Sequence, residues 1–86
     1  AVPGEAMASY AGDYLIKGEV FTIEPAATGI LFKVDRLAPL RFLPVSLTEF
    51  SHPVLDMTIR FVRNAAGDTE SFVFIQGERE VTATRR

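Results

Sequence analysis

The sequence predicts an all-β domain, a small antiparallel meander of seven to eight short strands curled into a barrel or half-barrel. Three observations predict it. Apolar runs alternate with polar residues along most of the chain, turn residues punctuate them at roughly the 8–12-residue spacing of sandwiches and barrels, and no amphipathic helical stripe interrupts them. The clearest unit is Asn64-Ala65-Ala66-Gly67-Asp68, a polar loop set between Met57–Arg63 and Thr69–Ile75. Glycine there can take the positive φ that closes a hairpin.

Residues 1–9 (AVPGEAMAS) form a leader or linker, because Pro3 and Gly4 break regular structure. Glu5 to Ala8 has room for one helical turn, which needs packing to survive. A single barrel-like domain then occupies residues 10–86. Tyr14–Lys17 runs to Gly18, which marks a bulge, bend or tight turn, and Glu19–Ile23 continues beyond it. Glu24–Gly29 is expected as a loop, with Pro25 ending the strand and Gly29 closing the turn. Ile30–Val34 is the next strand, Asp35–Pro39 a connection, and Leu40–Leu43 a short strand stopped by Pro44. Glu49-Phe50 pairs briefly before Ser51-His52-Pro53 turns the chain. The Met57–Arg63 and Thr69–Ile75 hairpin follows, then a turn over Gln76–Arg79 and a final strand over Glu80–Thr84.

Strand parity sorts the faces. Ile59 and Phe61 point one way and Thr58, Arg60 and Val62 the other; Phe72 and Phe74 share a face opposite Ser71, Val73 and Ile75. The Thr69–Ile75 strand is therefore apolar on both sides, which calls for a second layer or a protein contact on its outer face.

Eighty-six residues make one domain, and a chain this size buries roughly 60% of the surface it exposes when unfolded. A 48% hydrophobic composition with seven Phe and two Tyr is globular. The net charge of −2 and the scattered Lys and Arg lack the basic face that nucleic-acid binding requires. The absence of Cys excludes disulfides, thiolate metal sites and Cys nucleophiles. No apolar run approaches the ~18 residues of a membrane span. The chain opens at Ala1 instead of Met, as a processed protein or a piece of a longer one would.

Catalytic patterns are missing. There is no G-x-S-x-G, and no serine is followed three residues later by Lys. His52 is the only His, so it cannot build a usual zinc site without Cys or further His ligands. A general-base role beside Asp56 lacks a nucleophile, and a turn role is expected instead. Asp13, Asp35, Asp56 and Asp68 lie beside expected turns, where Asp bonds nearby backbone N–H groups. No calcium or phosphate loop is present, and no cofactor is expected. A stand-alone enzyme is not expected.

Three islands occur in order: Tyr10-Ala11-Gly12-Asp13-Tyr14 (Y-x-G-x-Y), Leu43-Pro44 followed by Phe50, and Phe61 followed by Gly67, the Phe72–Ile75 strand and a closing Arg85. This order resembles the small lipocalin-like β domain at the C-terminus of class C β-lactamase-related serine hydrolases and some other secreted bacterial peptidases. The resemblance covers residues 10–86. It implies a lipocalin-like barrel and an accessory role, with the catalytic Ser and Lys in a separate upstream domain, so no catalytic residue is carried over. It also implies a periplasmic or secreted location. The partners to expect are a hydrolase catalytic domain in the same chain, or a second copy. The alternative expectation is a small lipocalin-like binder that holds an apolar molecule among Tyr14, Phe32, Phe42 and Phe61.

Overall fold

The structure is a computed structural model that describes residues 4–34 and 38–86, with the backbone alone for residues 4–6. Pro3, Asp35 and the Asp35–Leu37 part of the expected connection lie outside the described residues. A short helix, α1 (Gly4–Tyr10), precedes eight strands: β1 (Gly12–Ile16), β2 (Glu19–Ala26), β3 (Gly29–Val34), β4 (Leu40–Pro44), β5 (Glu49–Ser51), β6 (Met57–Arg63), β7 (Thr69–Gln76) and β8 (Arg79–Arg85). Each strand pairs antiparallel with the next, and β8 pairs with β1, so the meander closes into a barrel. Closure removes the open edges that would invite pairing with other chains.

Local chemistry explains the turns. Lys17 and Gly18 both have positive φ, at 51° and 83°, the two-residue turn whose twist matches its flanking strands. In the β6–β7 loop the Asn64 side-chain oxygen accepts from the N–H groups of Ala66 and Asp68, both at 3.0 Å, and Gly67 sits at φ 87°. This is the hairpin expected from the sequence.

Two features differ from expectation. β2 runs through Pro25 to Ala26 instead of ending at it. Ala26 and Gly29 form the closing pair of the hairpin, so Pro25, one position back and opposite Ile30, turns its nitrogen away from β3. On that other side β1 has already ended, its first residue Gly12 pairing with Ile23, so no ladder bond is lost. Asp13 lies within β1, and its carboxylate accepts a bond from the Thr22 hydroxyl at 2.8 Å across the ladder instead of bonding a turn.

The inward faces fill the barrel. Ile23, Ile30, Phe42, Phe50, Ile59, Phe72 and Ala83 are fully or almost fully buried, and Phe32, Met57 and Phe61 nearly so. Ile59 and Phe61 face Phe74 and Phe72 across the β6–β7 ladder, while Val73 and Ile75 lie on the outer face, half-buried, as their parity predicts. Gly29 has no side chain because none fits. A Cβ there would overlap the Phe42 carbonyl oxygen and stand 3.1 Å from its carbon and 3.2 Å from Leu43 Cα. The obstacle is backbone of β4, which cannot rotate away. Gly29→Ala is therefore expected to lower stability by about 2–3 kcal/mol, measured as a urea-unfolding free energy.

Candidate functional site

The end of the barrel beside α1 gathers most of the buried polar chemistry. Tyr10, the last residue of α1, is completely buried. Its ring stacks on Phe61 with centroids 4.1 Å apart and meets the edge of Phe50 at 5.8 Å. Its hydroxyl donates to the Leu47 carbonyl in the β4–β5 loop. Tyr14, also completely buried, packs against Phe72 at 4.8 Å and donates its hydroxyl to the Tyr10 carbonyl at 2.8 Å. The helix is thus a plug whose aromatic tip completes the core, more than the leader expected for residues 1–9.

Arg85, near the end of β8, holds this plug in place. Nε donates to the Thr69 carbonyl at 2.8 Å and Nη1 to the Ala11 carbonyl at 3.2 Å. Nη2 donates to the Ser9 carbonyl and to the Tyr14 hydroxyl oxygen at 3.0 Å. The guanidinium carbon also lies 5.1 Å from the centre of the Tyr14 ring, within cation–π range. Among the described residues the ion pair is Lys33–Glu24 at 3.0 Å, so the charge on Arg85 is met by carbonyl dipoles and a ring face instead of a carboxylate. The planar fork suits this task, because its donors leave in fixed directions toward three separate carbonyls. Gly12 makes the approach possible. It holds φ 136° as the first residue of β1, and a Cβ on it would stand 3.0 Å from Arg85 Nη1.

Burial raises both tyrosine hydroxyls above their ordinary pKa. For Tyr14 the charge and hydrogen bond of Arg85 pull part of the way back, and for Tyr10 the charge of Arg63 does so. Beside the clamp lies an open recess of about 340 Å³ lined by Ala8, Ser9, Asp68, Thr69 and Arg85. The Ser9 and Thr69 hydroxyl oxygens are 3.3 Å apart there. His52 belongs to the β5–β6 loop at the opposite end of the barrel, so fold topology keeps imidazole and Ser9 apart. Its Nδ1 accepts from the N–H groups of Val54 and Leu55 at 3.1 and 2.9 Å, a turn-forming role of the kind expected. Among the described residues no three His, Asp or Glu side chains gather where they could hold a metal ion.

The four residues expected to line an apolar site, Tyr14, Phe32, Phe42 and Phe61, all face the interior. Phe32 meets Phe42 at 5.9 Å and Tyr14 meets Phe61 at 6.4 Å. Phe72 joins the two pairs, 6.2 Å from Phe32 and 5.8 Å from Phe61. At the end away from α1, Phe32 is stacked between Phe74 at 5.3 Å and Phe21 at 5.4 Å, and these two outer rings are only half-buried. Phe21 lies outside the expected set, although its parity with Ile23 places it on the inner face. The carbonyl that pairs with the Tyr10 hydroxyl lies 37 residues away and leaves no local signal in the sequence.

No protein-family model matches the chain, and neither a curated protein nor a solved structure matches it significantly.

Two outcomes follow from the clamp. Arg85→Ala should lower stability by about 2–4 kcal/mol in urea, and Arg85→Lys should recover little of it, because an ammonium cannot span the same carbonyls. Stability should also fall in alkali. A hydroxyl whose folded pKa lies above its unfolded value, near ~10, contributes fully below that pH and loses its contribution as pH rises through the folded value. Urea midpoints measured from neutral pH to strong alkali should be flat and then decline, and Tyr14→Phe should make the decline shallower.

Proposed function

We propose that this chain is a non-catalytic accessory β module that works by packing on a partner domain. The reading extends the resemblance to the small lipocalin-like domain that follows the catalytic domain in class C β-lactamase-related serine hydrolases and other secreted bacterial peptidases. It carries the same expectation of a periplasmic or secreted setting. The order of islands supports it, because Tyr10, Gly12, Tyr14, Phe50, Phe61 and Arg85 come from separate stretches and converge on one end of the barrel. The reading is carried by apolar side chains displayed outside a core that is already complete. Val54 is 85% exposed and Leu55 49% exposed in the β5–β6 loop, and Val45 is 62% exposed in the β4–β5 loop. Isolated exposed apolar residues are common, but two adjacent ones on a loop pinned by its own hydrogen bonds form a preformed contact.

The test is docking. The chain is titrated against the catalytic domain of a class C β-lactamase-related hydrolase, and its self-association is followed by sedimentation. Saturable binding to the domain or to a second copy is expected, and Val54→Asp with Leu55→Asp should weaken it about tenfold or more while leaving the urea midpoint in place. A strictly monomeric chain that ignores the domain contradicts the proposal.

The stack of buried Phe32 between the half-buried rings of Phe21 and Phe74 favours a second reading, a carrier of a small apolar molecule entering between the outer rings toward Phe32, Phe42, Phe61 and Tyr14. Displacement of a fluorescent fatty acid at micromolar concentration supports this reading, and the absence of saturable displacement removes it.

A further inference from the structure

The β5–β6 loop is held by an unusual acceptor. β5 ends at Ser51 and β6 begins at Met57, so His52, Pro53, Val54, Leu55 and Asp56 make the connection. The loop base is closed by the His52 N–H donating to the Met57 carbonyl at 2.9 Å. The imidazole then folds back over its own loop, and Nδ1 accepts from the N–H groups of Val54 at 3.1 Å and Leu55 at 2.9 Å. Asn or Asp commonly fills this position, offering a side-chain oxygen to the amides two and three residues on. A carboxamide oxygen accepts at any ordinary pH. An imidazole nitrogen accepts only while it carries no proton.

We infer that His52 is a proton-operated latch on this loop. The neutral imidazole, with its proton on Nε2, holds the loop closed, and protonation of Nδ1 releases it. A proton on Nδ1 turns the acceptor into a donor that faces two other donors, so ring and loop must separate. The separation is local, because the ring only abuts the core. It meets the edge of Phe42 at 5.8 Å, while Phe42 itself stays fully buried among its own neighbours.

Among the described residues, the surrounding charges offer the proton no ion-pair partner that would keep the loop shut. On the loop itself Asp56 is the acidic residue. Its carbonyl accepts from the Gly77 N–H at 3.3 Å and its Oδ2 is turned toward Gly77, so it belongs to the β7–β8 turn. β4 faces the imidazole with Phe42, next to Arg41 on the outer face, and β6 contributes the uncharged Met57. The β7–β8 turn adds Glu78 and Arg79, both exposed. Among the described residues none of these carboxylates lies within ion-pair distance of His52. Since Val54 and Leu55 are the residues released, acid alters the most exposed apolar tip among the described residues. The inference rests on the loop geometry alone and does not require the contact role proposed above.

The test uses nitrogen-15 NMR on the whole chain. At about pH 8 the imidazole should be the Nε2–H tautomer, with the Val54 and Leu55 amides protected. On acidification to about pH 5 these two amides should shift together with the His52 ring, and their protection factors, taken relative to the slower intrinsic exchange in acid, should fall about tenfold, while those of Phe50 and Ile59 stay unchanged. His52→Asn should keep the loop protected at both pH values and abolish the response, and His52→Ala should expose it at both. An Nδ1–H tautomer at high pH, amides indifferent to the ring's titration, or a pH response that survives in His52→Asn each overturns the inference. Should His52→Ala fail to fold, the native chain and His52→Asn still decide it.

Discussion

A closed barrel depends on the meeting of its first and last strands, and in this chain that seam is short. β1 and β8 share two register pairs, Tyr14 with Arg85 and Leu15 with Thr84, and one further bond from the Arg86 N–H to the Asp13 carbonyl at 3.0 Å. The β6–β7 ladder has seven pairs. By register pairs the seam is as short as the β4–β5 ladder, which also has two, so backbone pairing alone would leave it a weak joint in the sheet. Arg85 adds what the ladder lacks. It sits in one of the two seam pairs, and its guanidinium reaches the start of β7, the end of α1 and the residue before β1.

The rest of the core is arranged around this joint. Because Arg85 holds Ser9 and Ala11, α1 is held against the barrel, and Tyr10 comes to lie flat on Phe61. Tyr14 then has its hydroxyl between Arg85 and the Tyr10 carbonyl, donating to one and accepting from the other. The polar atoms of both tyrosines are satisfied while their rings stay buried, the condition on which buried Tyr is tolerated. Seven residues of helix would not persist in water by themselves. Here the helix is stabilised by what its last residue does inside the barrel. The opposite end has no such plug among the described residues, and its outer rings Phe21 and Phe74 remain half-buried.

What the sequence disclosed and what it concealed divide along a physical line. Features set by near neighbours were legible: the Asn64–Asp68 hairpin through its Asn and Gly, and the face shared by Phe72 and Phe74, though not which side of that two-sided apolar strand turns inward. Pro25 misled because the rule that proline ends a strand assumes a ladder on both sides, and β1 stops short of it. The place of Arg85 was visible only as the closing residue of a family-like pattern, since its partners Ser9 and Ala11 lie 76 and 74 residues away. His52 could be assigned to a turn from Ser51-His52-Pro53, but which ring nitrogen accepts, and from which amides, is a matter of side-chain rotation. Tyr14, Phe32, Phe42 and Phe61 face the interior, while the half-buried rings of Phe21 and Phe74 beside them lay outside the expected set.

Helix, seam and core form one cooperative unit, with loop tips as its adaptable parts. Native-state amide hydrogen exchange measures this most directly, using the Arg86 amide bonded across the seam, the Ala11 amide bonded to Ala8, and the Phe72 amide in the central ladder. All three should exchange with the free energy of global unfolding. Exchange of Ala11 and Arg86 through a low-energy local opening, with Phe72 still fully protected, would show that the barrel stands without its plug and contradict the central role given to Arg85.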